Sequence, residues 1–304
     1  MPLFFLPRKE KGQGLRNDEQ IQQAARNLFE GVAPERQEEL KALWKQYSPR
    51  FNILMDTGPD GLFVMDAGAY RDVRFNHRAL RAFWLGSFIA WEGYRAIVEG
   101  LNEGAGDLGR FTSMIHSFSK MMKEEDPEAV PLPEGVSEPG FYPDAAMYPQ
   151  MRASGELATF ATGWAFLHEI RHLQHQQEMT SVAIGAPARE QHAEEFSCDE
   201  FATRFILDHI DDYAARENLS ADKVRQKREI GIYFALFTLT LMGRNHWGQS
   251  DSHPSVQKRI DAVMRQMGSD GTRPSDVIAH AAFNALWSRW SEAPGPFKPS
   301  SGSQ

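Results

Sequence analysis

The chain has 304 residues, 41% of them apolar, and a formal net charge of −8. The apolar fraction suffices to bury a sizeable core, and mixed charges with an acidic balance exclude the basic face that nucleic-acid binders need. The single cysteine, Cys198, excludes an internal disulfide and fits a reducing, cytoplasmic setting.

Residues 1–16 read as a flexible arm; their apolar run is too short for the core of a signal peptide. Two amphipathic helices are predicted at 17–31 and 35–48, with Pro34 suited to the start of the second. Three β-prone runs follow at 51–55, 62–65 and 72–75. Gly58-Pro59-Asp60-Gly61 separates the first two and reads as a hairpin turn, so a small antiparallel sheet is expected.

Leu80, Phe83, Trp84, Phe88 and Trp91 recur at helical spacing and predict a core helix over 77–100. Another helix is expected at 107–124. The proline-rich stretch 126–144 reads as an irregular surface connection, with a substrate-facing lid as the rival reading. Helices are then predicted at 154–180, 190–213, 220–243, 254–267 and 274–291, and a disordered tail at 292–304. The longest apolar stretch, 230–243, is shorter than the roughly 20 residues of a membrane span, so it reads as a buried helix. The charged segment 225–229 before it leaves a weak membrane-surface association open. The fold class expected is α+β, with a small sheet followed by helices in one zincin-like domain over 17–291.

The chemistry concentrates in His168-Glu169-Ile170-Arg171-His172. Helical residues four apart share a face, so both imidazoles can grip one zinc ion. Leu157, Phe160, Ala161 and Trp164 form an apolar stripe that both histidines continue, which turns them inward. Glu169 projects about 100° away from His168, beside the ion, where it can act as general base. The bland alternative is two satisfied core histidines flanking a surface glutamate.

A catalytic zinc needs a third protein ligand and an open position. His175 is on the same face but about 10 Å along the helix from His168, so it reads as a second-shell or solvated residue. Glu195 and Asp199 share an inward stripe with Ala202 and Ile206, whereas Glu194 and Glu200 fall off it. Paired inward carboxylates without a cation repel each other. Glu195 is therefore expected as the third ligand, and Asp199 as acceptor for the second N–H of a zinc-bound histidine. Cys198 reads as a buried, inert thiol.

Together with His253-Pro254-Ser255-Val256-Gln257-Lys258-Arg259-Ile260, these blocks resemble the HtpX and CAAX-prenyl-protease family of gluzincin metallopeptidases over roughly 154–268. The chain departs from that family in lacking convincing transmembrane helices. A looser similarity links it to the Lit-type phage-exclusion peptidases, soluble H-E-x-x-H proteins that cleave elongation factor Tu. The first resemblance implies zinc on His168, His172 and Glu195, Glu169 as base, Asp199 behind the ligands, His253 near the oxyanion, and Arg259 bracing the site or pairing with an acid. From the residues alone His253 stays ambiguous: it could simply open a helix before Pro254, and His246 competes for the same role.

The function expected is hydrolysis of a protein or peptide by zinc-activated water, with one zinc per chain. The alternatives are a non-catalytic, zinc-stabilised binding protein, or a toxin-like or phage-defence peptidase with one target. Structural zinc sites are usually closed and cysteine-rich, and the sequence offers neither property.

Overall fold

A computed structural model describes residues 18–47, 52–54, 63–68, 72–103, 106–183, 185–244 and 246–298. The expected arm at 1–16 and the turn at 58–61 lie outside these residues.

The elements run α1 (Asp18–Glu30), a 3-10 turn at Pro34–Arg36 leading into α2 (Gln37–Tyr47), β1 (Asn52–Leu54), β2 (Met65–Ala67), β3 (Val73–Asn76) and α3 (His77–Glu103). They continue as α4 (Gly109–Met121), a 3-10 turn at Pro127–Ala129, α5 (Pro149–Gln177), α6 (Ala188–Leu207), α7 (Ile210–Glu217), α8 (Ala221–Met242), α9 (Val256–Met267) and α10 (Pro274–Trp287). The α+β expectation holds.

Local chemistry explains most of the boundaries. α1 buries Ile21, Ala24, Ala25, Leu28 and Phe29, the stripe that a 3.6-residue repeat produces. α5 and α10 each start on a proline, which loses no intrahelical bond there. Ser220 and Ser255 cap α8 and α9 by accepting the backbone N–H of Lys223 and Lys258. The helix expected over 190–213 is broken. His209 adopts a left-handed φ of 64° between α6 and α7, a conformation no helix can propagate.

The sheet differs from the expected hairpin. Its order is β1-β3-β2, with β2 antiparallel and β1 parallel to β3. The first strand therefore joins the third and not its sequence neighbour, and among the described residues β2 has one unpaired edge. β2 and β3 pack on α5, and local turn signals do not carry the pairing that such long-range packing favours.

α5 lies at the centre, packed by α1, α3, α6, α8 and the sheet. It is buried on nearly every side from Ser154 to Leu173. Such closeness requires small residues: a Cβ on Gly163 would sit 2.6 Å from Val32 Cγ2.

The segment 126–144 is a strap across α3. The Trp84 indole donates to the Ser137 carbonyl at 2.6 Å, and Arg81 donates to the Pro127 and Val130 carbonyls. None of its residues lines the cleft that holds the H-E-x-x-H side chains, so the structure favours the connection over the lid.

One further expectation needs correction. Residues 293–296 are buried, and Gln257 exchanges two hydrogen bonds with Gly295. An apolar Ala-Pro-Gly-Pro run thus packs where composition alone suggested disorder. In the charged segment before the apolar part of α8, Arg228 and Glu229 are buried and paired. Arg225 and Lys227 of the same segment stay exposed. No helix among the described residues is long and apolar enough to cross a membrane.

Candidate active site

α5 and α6 pack side by side and bring the predicted ligands together. Nitrogen and oxygen donors of His168, His172 and Glu195 lie within 4.8 Å of one another. His172 Nε2 is 3.2 Å from Glu195 Oε1, and His168 Nε2 is 3.6 Å from Glu195 Oε2. Ligands at tetrahedral positions around zinc, with bonds near 2.0–2.1 Å, lie about 3.3 Å apart. The two imidazole–carboxylate separations are of that size, so the group could hold a metal ion.

Two observations support a cation here. The first is the donor set itself, two imidazoles and a carboxylate. The second is Glu195 Oε2, which is buried and accepts no hydrogen bond among the described residues. The nearest cationic groups, Arg259 Nη1 and His168 Nε2, stand 3.6 Å from it, too far for a hydrogen bond, and a metal ion would supply the closer partner that a buried carboxylate oxygen needs.

Behind the donors, His168 Nδ1 is 3.0 Å from Asp199 Oδ1. Asp199 also accepts two bonds from Arg259, at 2.6 and 2.9 Å, a bidentate pairing. Sequence reasoning anticipated Asp199 and Arg259 in this neighbourhood, but it set Glu194 aside as off the stripe. Glu194 Oε1 lies 2.8 Å from His172 Nδ1. Helix periodicity could not reveal this, because the contact depends on how the end of α5 passes α6. The only hint was its position beside Glu195.

Burial and charge act strongly on these groups. Burial alone would push the Glu195 carboxyl up, but His168, His172 and Arg259 outweigh it and hold the group far below the usual range. Burial opposes protonation of His172, yet Cys198, Glu194 and Glu195 raise its affinity for a proton well above normal. His168 is raised through Asp199 and Glu195 against the same burial. Asp199 is lowered because Arg259 and His168 overcome its burial. Three carboxylates (Asp199, Glu195 and Glu169) act on the one guanidinium of Arg259, so the region attracts further positive charge.

Glu169 behaves differently. Burial raises its carboxyl, with the two imidazoles opposing and Glu195 and Asp66 reinforcing. A carboxyl raised toward neutrality suits proton transfer. It lines a cleft of about 430 Å³ together with the two histidines and Glu195. One part of the wall is apolar, built from Phe63, Phe83, Trp164 and Leu239, and the β2 residues Met65, Asp66 and Ala67 flank it.

His253 also lines this cleft, with its Nε2 3.6 Å from Glu195 Oε1 and its side chain 60% exposed. Its rival His246 is exposed and does not line the cleft. His175 bonds Thr180 and Ser197 and is not among the grouped donors. Cys198 is fully buried, and burial pushes its thiol up to about 11 against the pull of His172.

Neither the curated proteins nor the solved structures contain a significant match to this chain. A family model does match: Peptidase U49, over residues 73–282. That span runs from β3 into α10 and contains every grouped donor. It supports a peptidase of the Lit-like kind and does not reach the prenyl-protease resemblance specifically. Matching more than half of its length, the chain belongs to the peptidase U49 family.

Proposed function

We propose that this peptidase is a zinc-dependent metalloendopeptidase, with His168, His172 and Glu195 as ligands and Glu169 as general base. The observation that carries the reading is the convergence of three donors around an unbonded buried carboxylate oxygen, at the edge of an open cleft. Zinc held there supplies Lewis acidity, making water a nucleophile near neutral pH and polarising a carbonyl oxygen.

The protein's own residues do the rest. Glu169, with its raised carboxyl, takes a proton from the attacking water and returns it to the leaving amine. Asp199, braced by Arg259, holds the His168 ring through Nδ1. The Ser252 hydroxyl lies 2.8 Å from His253 Nδ1 and can donate to it. That arrangement leaves Nε2–H of His253 as a donor on the cleft side, suited to a developing oxyanion. The edge of β2 that is unpaired among the described residues offers backbone groups to an extended peptide, by strand addition.

The test is Glu169→Gln. Wild-type protein should bind one zinc per chain and generate new peptide termini from a proteome-derived library. The variant should keep its zinc and generate none. Cleavage persisting in the variant, or a wild type that holds no stoichiometric zinc, would sink the reading.

A further inference from the structure

We propose that Glu194 is a positioning residue that orients His172 and couples that ligand to the loop following α5. The inference rests on the metallopeptidase reading above.

The two histidines are arranged alike. Each directs Nε2 at Glu195 and Nδ1 at another carboxylate: Asp199 for His168 at 3.0 Å, Glu194 for His172 at 2.8 Å. A ligating imidazole presents a lone pair on one nitrogen when the other donates its N–H to a fixed acceptor. The two carboxylates therefore select the same donor atom on both rings.

They are anchored by different means. Asp199 is held by a side chain, Arg259. Glu194 is held by backbone: the Val182 N–H donates to its Oε2 at 2.6 Å, and the Ser181 hydroxyl lies 3.3 Å from both oxygens. That backbone is positioned by a tight reversal. Met179 takes a left-handed φ of 60°, and the N–H groups of Thr180 and Ser181 both donate to the His175 carbonyl. The reversal turns the chain back over the end of α5 and aims the next N–H at α6. Glu194 is only 11% exposed, so its carboxylate is committed to these contacts. Of the consecutive pair Glu194-Glu195, one residue faces the ion and the other fixes a ligand and a loop.

The experiment compares full-length wild type, Glu194→Ala, Glu194→Gln, and Glu200→Ala as an exposed control on the same helix. Zinc affinity is read by competition with a chromogenic chelator, and backbone hydrogen exchange of residues 178–183 is read by mass spectrometry before zinc is added. Removing such a partner typically weakens metal binding 10–100-fold. Glu194→Ala should show that loss and faster exchange of the loop. Glu194→Gln, which keeps an acceptor oxygen, should fall between, and Glu200→Ala should match wild type. Zinc binding within twofold of wild type in Glu194→Ala overturns the proposal, as does unchanged exchange of the 178–183 segment. If wild type itself binds no zinc, the metallopeptidase reading has failed, and the exchange data alone decide the loop contact.

Discussion

Of the places where charged groups are buried in this molecule, two are wired differently. Where α8 meets α10 and the start of α2, every buried charge is answered. Arg228 makes paired contacts of 2.6 and 2.7 Å with Glu35 and also donates to the Ile206 carbonyl. Glu229 accepts from Arg273 and Ser275, and Asp276 accepts from Tyr233 and the Gly271 N–H. Where α5 meets α6, a similar density of charge leaves Glu195 Oε2 with no hydrogen bond among the described residues, its nearest cationic groups Arg259 and His168 standing 3.6 Å away, and leaves three donors facing one point. A saturated network holds elements together. An open one, bordering a cleft, keeps its unmet demand for something the chain does not contain.

The contrast can be broken by mutation. The largest effect should come from Glu169→Gln, with peptide hydrolysis reduced by about 10²–10⁴-fold or more in kcat/KM and little change in thermal midpoint. In the saturated network, Arg228→Ala should cost about 3–5 kcal/mol in urea unfolding, because it strands the Glu35 carboxylate. Replacing both partners with Arg228→Met and Glu35→Leu should recover most of that loss. If the single and double variants are equally unstable, the pair is not what holds the region.

Glu195→Gln should behave in the opposite way to Arg228→Ala. Unfolding of the metal-free protein should change by less than it does in Arg228→Ala, because the lost attraction to His172 and Arg259 is partly offset by relief of repulsion from Glu169 and by the lower cost of burying a neutral amide. Zinc stoichiometry should nevertheless collapse. A drop in metal-free stability as large as that of Arg228→Ala would make this cluster structural too.

The smallest effect concerns Glu156, which joins α5 to α8. Burial would raise its carboxyl, but Lys227 and Arg152 pull it net below its ordinary value of 4.5. A lowered folded pKa means stabilisation that is present above the ordinary value and fades as pH falls through the folded one. Glu156→Gln should therefore cost at most about 1 kcal/mol at pH 7. The gap from wild type should close in acid; a gap that widens below pH 4 would reverse the assignment.

Some of these features were legible from the chain alone. The helices of the second half announce themselves through apolar spacing, and two histidines four residues apart on an inward stripe must share a face whatever packs around them. Glu195 and Asp199 followed from the same periodicity, because inward carboxylates need a reason. Tertiary packing decided the rest. The parallel placement of β1, the break at His209 and the packing of 293–296 depend on surfaces contributed by distant segments. Glu194 was invisible for the same reason: periodicity reports which side of a helix faces the core, whereas an off-stripe residue gains its role only from the loop that happens to cross it. A motif on one helix is local chemistry, written in the order of residues. The angle at which a second helix passes, and what closes around the two, is settled only when the whole chain has packed.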